Sequence, residues 1–524
     1  MARPANLKLK DLVTKGYLPP ELIPPFNTFS LGQNLDSLKN LRGLHLNTNP
    51  KKISKLVTHS IPKISLQRRT LGVPNPYNQI QLMECIVNNW KDIRNLIAKS
   101  KYSLTKPLVK KDLHRAINRK HDFADIFSKI PIISTGYRYG LKTDISRFFS
   151  TIYTHSIPWA IHGKAFSKKN QKVTDGFGNL LDTRVRDTQD KQTLGLPIGP
   201  DTSYIISEIL GSAIDCEIYS ELNANGIRYT DDFYFFFNSL SEAEEALTKI
   251  QKILKHFELE INPEKTEIYS VPEPLESNWV SELRTHHIYN ENPYKQKTLL
   301  ISFFSKAFNY SKQYPNNSVL KYALARIKEE EIHKENWNLC QAFILNSMIS
   351  ETNVLSEATD IFMIYKKREY KLDKQAIKKT LDNLICFHSK LNHGYELSWA
   401  LWIAKNLDIK ISNTAANELS KVEDSIVALT ALDLREAGLI SKLKTDEWEK
   451  LLTEENLYEE HWLFAYEAVK KGWLKPDSDY LKSDGFFSIL NKNDVQFYDN
   501  TLLSEAPLPK RNEKSVISNA FISY

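Results

Sequence analysis

The run Ile227-Arg228-Tyr229-Thr230-Asp231-Asp232-Phe233-Tyr234-Phe235-Phe236-Phe237 restricts this chain more than any other stretch of it. Aromatic and β-branched residues favour strands, and the polar pair falls where a tight hairpin would turn. Asp231 and Asp232 are thereby expected at the exposed tip of a hairpin with buried flanks. Carboxylates beside apolar strands are costly unless something cationic compensates. Two Mg²⁺ ions would do so, and paired metals can activate an attacking hydroxyl and stabilise a leaving pyrophosphate. An ordinary Asp-Asp turn between edge strands fits the same four residues, so the neighbouring segments must decide.

Upstream lies Tyr139-Gly140-Leu141-Lys142-Thr143-Asp144-Ile145-Ser146-Arg147-Phe148-Phe149. It reads as a short strand ending in an acid, and Asp144 beside the hairpin tip would be a third carboxylate for a two-metal site. One of the two phenylalanines is expected to be core. Between these segments runs Leu194-Gly195-Leu196-Pro197-Ile198-Gly199-Pro200-Asp201-Thr202-Ser203, then a helix with Ile205, Ile206, Ile209, Leu210, Ala213 and Ile214 at helical spacing. Thr202 and Ser203 are the N-cap candidates.

After the hairpin, residues 241–257 carry an amphipathic helical pattern. Residues 259–268 read as strand, turn, strand. Lys265 in that turn is a candidate general acid for a leaving group. Far upstream, Arg68-Arg69-Thr70-Leu71-Gly72-Val73-Pro74 offers guanidinium forks suited to phosphate.

Taken in order, these five segments resemble the motifs of reverse transcriptases over roughly residues 60–270. Tyr229-Thr230-Asp231-Asp232 looks like their Tyr-x-Asp-Asp signature, and Tyr229 is carried over with it as substrate-binding. The stretch ending at Phe149 is similar to their motif A, which implies that Phe149 is the aromatic gate against a ribose 2′-hydroxyl. RNA-synthesising polymerases usually hold a small or polar residue there. The 194–203 stretch resembles motif B, which implies that Gly199 lets the backbone approach the nascent base pair closely, but Ile198 stands where most members have Gln, so an amide contact near the template is absent. Lys265 takes the motif D lysine position. Arg69 aligns with the fingers residue that meets the incoming triphosphate, with Arg68 its neighbour.

The chain has 524 residues, 41% hydrophobic and 25% charged, with net charge +7. Two or three domains are expected, with globular cores. The charge permits nucleic-acid binding without demanding it. There is no long apolar run and no signal-like start, so a soluble, unsecreted protein is expected. Cys85, Cys216, Cys340 and Cys386 are scattered, which favours buried reduced thiols over zinc or disulfides.

The expected organisation is α+β: right-hand fingers and palm, then an all-α HEAT-like repeat region. The divisions are an N-terminal arm over 1–60, fingers and palm over 61–275, helical repeats over 276–500 and a tail over 501–524. Prolines 19, 20, 24 and 25 make the arm extended, packed on the fingers. Residues 78–130 are expected to be largely helical. Their Lys106, Lys110, Lys111, Arg115, Arg119 and Lys120 could line a nucleic-acid groove or form a solvated basic face. Later helices are expected at 319–328, 337–349, 376–388, 396–406 and 425–437. The aromatic stretch from His393 to Trp402 is read as core rather than a stacking surface for bases.

The Lys-Gly-Tyr-x-Pro-x-Glu-Leu arm, the Leu-Pro-x-Gly-Pro motif B and the His-Gly-Tyr-Glu-Leu-Ser-Trp-Ala-Leu-Trp stretch together resemble the bacterial abortive-infection reverse transcriptases, the AbiK and AbiA group. That resemblance implies a cytoplasmic antiphage enzyme whose helical region replaces the usual thumb. It implies homo-oligomers, dNTP substrates, two Mg²⁺ ions, and DNA made without a template and attached to a protein tyrosine. RNA and a partner protein from the same operon are further candidates for binding. The priming residue is not readable, and Tyr17 and Tyr524 are guesses from their places in the arm and the tail. The alternatives are a conventional RNA-templated enzyme of retron or retroelement type, an RNA-synthesising polymerase, and an inactive palm acting as a scaffold.

Overall fold

The computed structural model describes residues 6–36, 52–63, 67–110 and 115–504. Eight strands are described, numbered in chain order: β1 (Val57–Pro62), β2 (Arg68–Val73), β3 (Pro107–Leu108), β4 (Asn118–Arg119), β5 (Tyr139–Asp144), β6 (Asn225–Tyr229), β7 (Asp232–Phe237) and β8 (Glu267–Ser270). The hairpin expected around Asp231 forms from β6 and β7, with Thr230 and Asp231 in the turn. The four-stranded sheet has the order β6-β7-β5-β8, and its recorded pairs are antiparallel. Its inner face buries Phe233, Phe235 and Leu141. Helices Asp201–Leu222 and Leu240–His256 belong to the same core.

Expectation and structure part in several places. The Asp201–Leu222 helix is capped by Pro200 with no side-chain cap bond. Thr202 instead accepts from the Gln79 amide, 3.1 Å away, and is fully buried, so packing claims the hydroxyl that a cap would have used. Residues 78–130 are less helical than periodicity suggests. Helices Pro76–Asn88 and Trp90–Ala98 are followed by irregular chain and the small β3–β4 pair, and Ala124–Ile133 is helical again. Of the 259–268 segment, the second strand forms, with Glu267 and Ile268 opening β8 on β5, while the first is reduced to an isolated bridge of Ile261 to Ile145; Pro263–Lys265 between them is a 3-10 turn.

The arm contains two short helices, Leu9–Lys15 and Phe29–Gln33, around its proline-rich turns. It packs on the Pro76–Asn88 helix and also touches the distant C-terminal segment. Asn27 N–H donates to the Phe497 carbonyl, and Asp499 N–H to that of Pro25.

From residue 278 onward the described chain is helical. The expected helices form at Val319–Glu329, Lys334–Ser350, Lys374–Ser389, Gly394–Leu407 and Ser425–Glu436. Several pack on their next-but-one neighbour, as Lys374–Ser389 does on Asn413–Leu419 and Gly394–Leu407 on Ser425–Glu436. The His393–Trp402 stretch is core, with Trp402 fully buried. Among the described residues no helix is long and apolar enough to cross a membrane.

The helical part closes directly on the β1–β2 hairpin. His59 Nδ1 lies 2.8 Å from Asp424 Oδ2, the Trp462 indole N–H donates to the Val73 carbonyl, and one hydrophobic core runs through both parts. Gly394 makes the first contact feasible, because a Cβ there would strike Asp424 at 2.2 Å and His59 at 2.6 Å.

Candidate active site

Strand pairing brings the three acids together. Asp144 ends β5 and is the register partner of Asp232, the first residue of β7, while Asp231 sits in the turn before it. The Ile145 N–H donates to the Asp231 carbonyl at 3.2 Å, and the Asn262 N–H to the Asp144 carbonyl at 2.9 Å. Backbone bonds thus hold Asp144 and Asp232 on paired strands and Asp231 in the turn beside them.

Lys265 arrives from the 3-10 turn, where the Asn262 side chain caps Glu264 N–H. Its Nζ donates to Asp144 Oδ2 at 2.7 Å. Burial works to lower the Lys265 pKa, but the bond to Asp144 and the charge of that carboxylate raise it above its ordinary value. Burial, and then the charge of Asp144, raise Asp231. Burial and the charge of Asp231 push Asp232 up to about 7. The other Asp144 oxygen, Oδ1, is buried and has no hydrogen-bond partner. Crowded, desolvated carboxylates with an unsatisfied oxygen are a donor set that fits hard divalent cations.

The two neighbouring arginines have different fates because successive side chains of a strand point to opposite faces. Arg68 turns to the helical part and forms a fork with Glu396, 2.7 and 2.8 Å to its two oxygens. The expectation that Arg68 steadies a triphosphate is therefore corrected: its guanidinium is committed to Glu396 and Ser60. Arg69 lies on the carboxylate side, where its charge works against the rise in the Asp231 pKa that burial and Asp144 produce. Lys63, across the hairpin tip, was missed in the sequence. Burial and the charge of Arg69 lower its pKa, while Asp144 and Asp231 pull the other way, which places it near the same acids.

Tyr229 is not open to a substrate. It is buried, edge-on to Phe123, and its hydroxyl accepts from Arg119 at 3.2 Å. The ring points to the side of the hairpin where Leu104, Ile126 and Ile227 form a small cluster. The expected basic groove is likewise partly consumed by structure. Arg115 pairs with Asp201 and donates to the Leu18 and Gly199 carbonyls, and Lys106 donates to Ser100. Lys110 and Lys120 stay exposed, and Lys111 lies outside the described residues.

Phe148 is the core phenylalanine, and Phe149 is half-buried against it. The Leu196 N–H donates to the Phe149 carbonyl, which ties the 194–199 loop to this ring. Ile198 uses its backbone instead of a side-chain amide: its carbonyl accepts from Gly72 N–H at 3.0 Å. Gly199 has φ +124, and a Cβ there would meet Pro19 at 2.4 Å. What approaches this glycine closely is the arm of the same chain.

Tyr17 is fully buried, with its hydroxyl donated to the Pro74 carbonyl at 2.5 Å, so this fold removes it from the priming candidates. Tyr524 lies outside the described residues. Beside the acids, a cavity of about 710 Å³ is lined by Lys142, Asp232, Tyr234, Glu264, Lys265 and Tyr269 among others.

A second convergence, His388, His393 and Glu396, has its ligand atoms within 4.8 Å of one another. Both Glu396 oxygens are taken by Arg68, and the two Nδ1 atoms face each other at 2.9 Å. The guanidinium supplies the positive charge there.

The three acids and the flanking lysine thus converge at one end of the four-stranded sheet. Residues 78–303 match the family model of reverse transcriptase (RNA-dependent DNA polymerase). Among solved structures, apo telomerase from Candida tropicalis is similar over 78% of this chain and 73% of that one, at 10% identity and a TM-score of 0.33. The same telomerase truncated from its C-terminal domain is similar over 48% and 57%, at 14% identity and a TM-score of 0.28. No curated protein matches the chain.

Proposed function

We propose that this protein is a DNA polymerase that adds dNTPs by two-metal nucleotidyl transfer with little dependence on a template. The observation that carries the chemistry is the register pairing of Asp144 with Asp232, with Asp231 in the adjoining turn. Asp144 and Asp231 would be the principal ligands of two Mg²⁺ ions, with Asp232 assisting. Bound there, the ions would lower the pKa of an attacking hydroxyl and neutralise charge on the phosphates. Arg69 and Lys63 would steady the triphosphate, Phe149 would screen the sugar, and Lys265 would give its proton to the leaving group.

Weak template dependence is supported by the 198–199 corner. Ile198 has no amide to offer a base, and Pro19 fills the space over Gly199. The resemblance to abortive-infection reverse transcriptases supports an antiphage role, homo-oligomers and priming from a tyrosine. The next-but-one stacking of the C-terminal helices supports a HEAT-like array in place of a thumb.

The test is to incubate the protein with Mg²⁺ and labelled dNTPs, with no template or primer, and compare products before and after proteinase. Label held on protein until proteolysis is expected. Product only with a supplied primer and template would instead favour the conventional reverse transcriptase. Absence of any product, with antiphage protection unchanged when Asp231 and Asp232 are both replaced by Ala, would favour the scaffold.

A further inference from the structure

We propose that Arg228, buried beneath the hairpin, is a positioning residue that sets the Asp231 carboxylate through the backbone of Thr230. This rests on the two-metal reading of the site.

Thr230 has φ +56, a left-handed conformation that a β-branched residue adopts only when its surroundings enforce it. Its own hydroxyl does not enforce it, for Thr230 Oγ1 is buried without a partner. The backbone is held instead. Arg228 Nη1 donates to the Thr230 carbonyl at 2.6 Å, and Thr230 N–H donates to Thr105 Oγ1 at 3.1 Å. That carbonyl belongs to the peptide that leads into Asp231. Any drift of the guanidinium would therefore rotate the residue that carries the carboxylate.

The guanidinium cannot drift far. Arg228, Glu208 and Asp215 have fully buried side chains. Nε lies 2.9 Å from Asp215 Oδ1, and Nη1 lies 3.0 Å from Glu208 Oε1. Glu208, Gly211 and Asp215 recur at i, i+3 and i+7, one face of the Asp201–Leu222 helix. Gly211 leaves room for the guanidinium, since a Cβ there would meet Arg228 Cζ at 2.6 Å. Ser100, Ser103 and Thr105 donate their hydroxyls to the same two acids at 2.5, 2.8 and 2.7 Å. Thr105 Oγ1 thus closes the network, donating to Glu208 while accepting from Thr230.

Two acids against one arginine, sealed from water, make a costly way to hold a fold together, because hydrophobic residues often serve as well or better. Here the cluster delivers a donor to one carbonyl beside the candidate metal ligands. A fixed fork suits that task, since a displacement of about 1 Å at a reacting centre can cost on the order of 100-fold in rate.

The test uses the full-length protein with Thr105→Val, which removes the hydroxyl at nearly constant shape, and Thr105→Ser, which keeps it. Arg228→Lys is the stronger variant. Mn²⁺ binding is measured by water-proton relaxation, alongside dNTP incorporation and thermal midpoint, with Asp231→Asn as the reference for loss of the site. T105V is expected to weaken Mn²⁺ binding and slow incorporation by about 10-fold, the scale of one lost hydrogen bond, while T105S restores both. R228K, where it folds, is expected to lose on the order of 100-fold in rate. Wild-type Mn²⁺ affinity and rate in folded T105V would overturn the positioning role, even if R228K fails to fold. Absence of Mn²⁺ binding in the wild-type protein would instead overturn the two-metal reading beneath it.

Discussion

Lys265 Nζ and Asp144 Oδ2 lie 2.7 Å apart, so the site carries its own cation against a candidate metal ligand. The pair sets a competition. Lys265→Met is expected to tighten Mg²⁺ binding, because a positive charge no longer occupies that oxygen. The same change is expected to slow nucleotide addition by about 100-fold or more through loss of a proton donor. Titration calorimetry with Mg²⁺, beside single-turnover incorporation, separates the effects. Weaker metal binding in the variant would contradict the competition.

Asp231 is raised in pKa by burial and then by Asp144, so the carboxylate cluster destabilises the metal-free chain. Asp231→Asn is expected to raise the thermal midpoint in EDTA by about 2 °C or more, removing one buried like charge. It is expected to abolish both the Mg²⁺-induced rise and incorporation. A lower midpoint in EDTA would show that the charge is better compensated than its surroundings indicate.

Arg68 and Arg69 should separate in a kinetic comparison. Arg69→Ala is expected to raise the KM for dNTP with little change in stability. Arg68→Ala leaves Glu396 buried without its fork, and is expected to cost about 3 kcal/mol of stability. Its KM for dNTP in the folded fraction should stay near wild type. Denaturant melts and initial rates on the two variants decide it, and a raised KM in R68A alone would reverse the assignment.

Glu467 provides a pH readout far from the acids. Burial, opposed by the backbone bond from Phe497, pushes its pKa up to about 7 from 4.5. Its Oε2 is buried without a partner, as suits a protonated carboxyl. A raised carboxyl contributes stability that is present below its unfolded pKa and lost as pH rises through the folded one. Glu467→Gln mimics the neutral form. The thermal midpoint of E467Q relative to wild type should therefore climb between pH 5 and pH 8. A flat difference over that interval would mean that Glu467 is ionised in the fold throughout.

Local pattern alone determined the β6–β7 hairpin, the strand ending at Asp144 and the amphipathic helices, because alternation and helical spacing act over a few residues. The three acids were legible for the same reason: each stands at the end of an element whose course its neighbours dictate. Tertiary structure decided the partners. Arg68 and Glu396 are 328 residues apart, and nothing near Arg68 says which face of β2 will meet a helix. Pro19 over Gly199, Tyr17 under Pro74, and Arg228 between Glu208 and Asp215 likewise follow from how separate elements pack. A basic residue reads the same in sequence whether it will meet a phosphate or a buried carboxylate. Burial and register settle which, and these belong to the assembled chain.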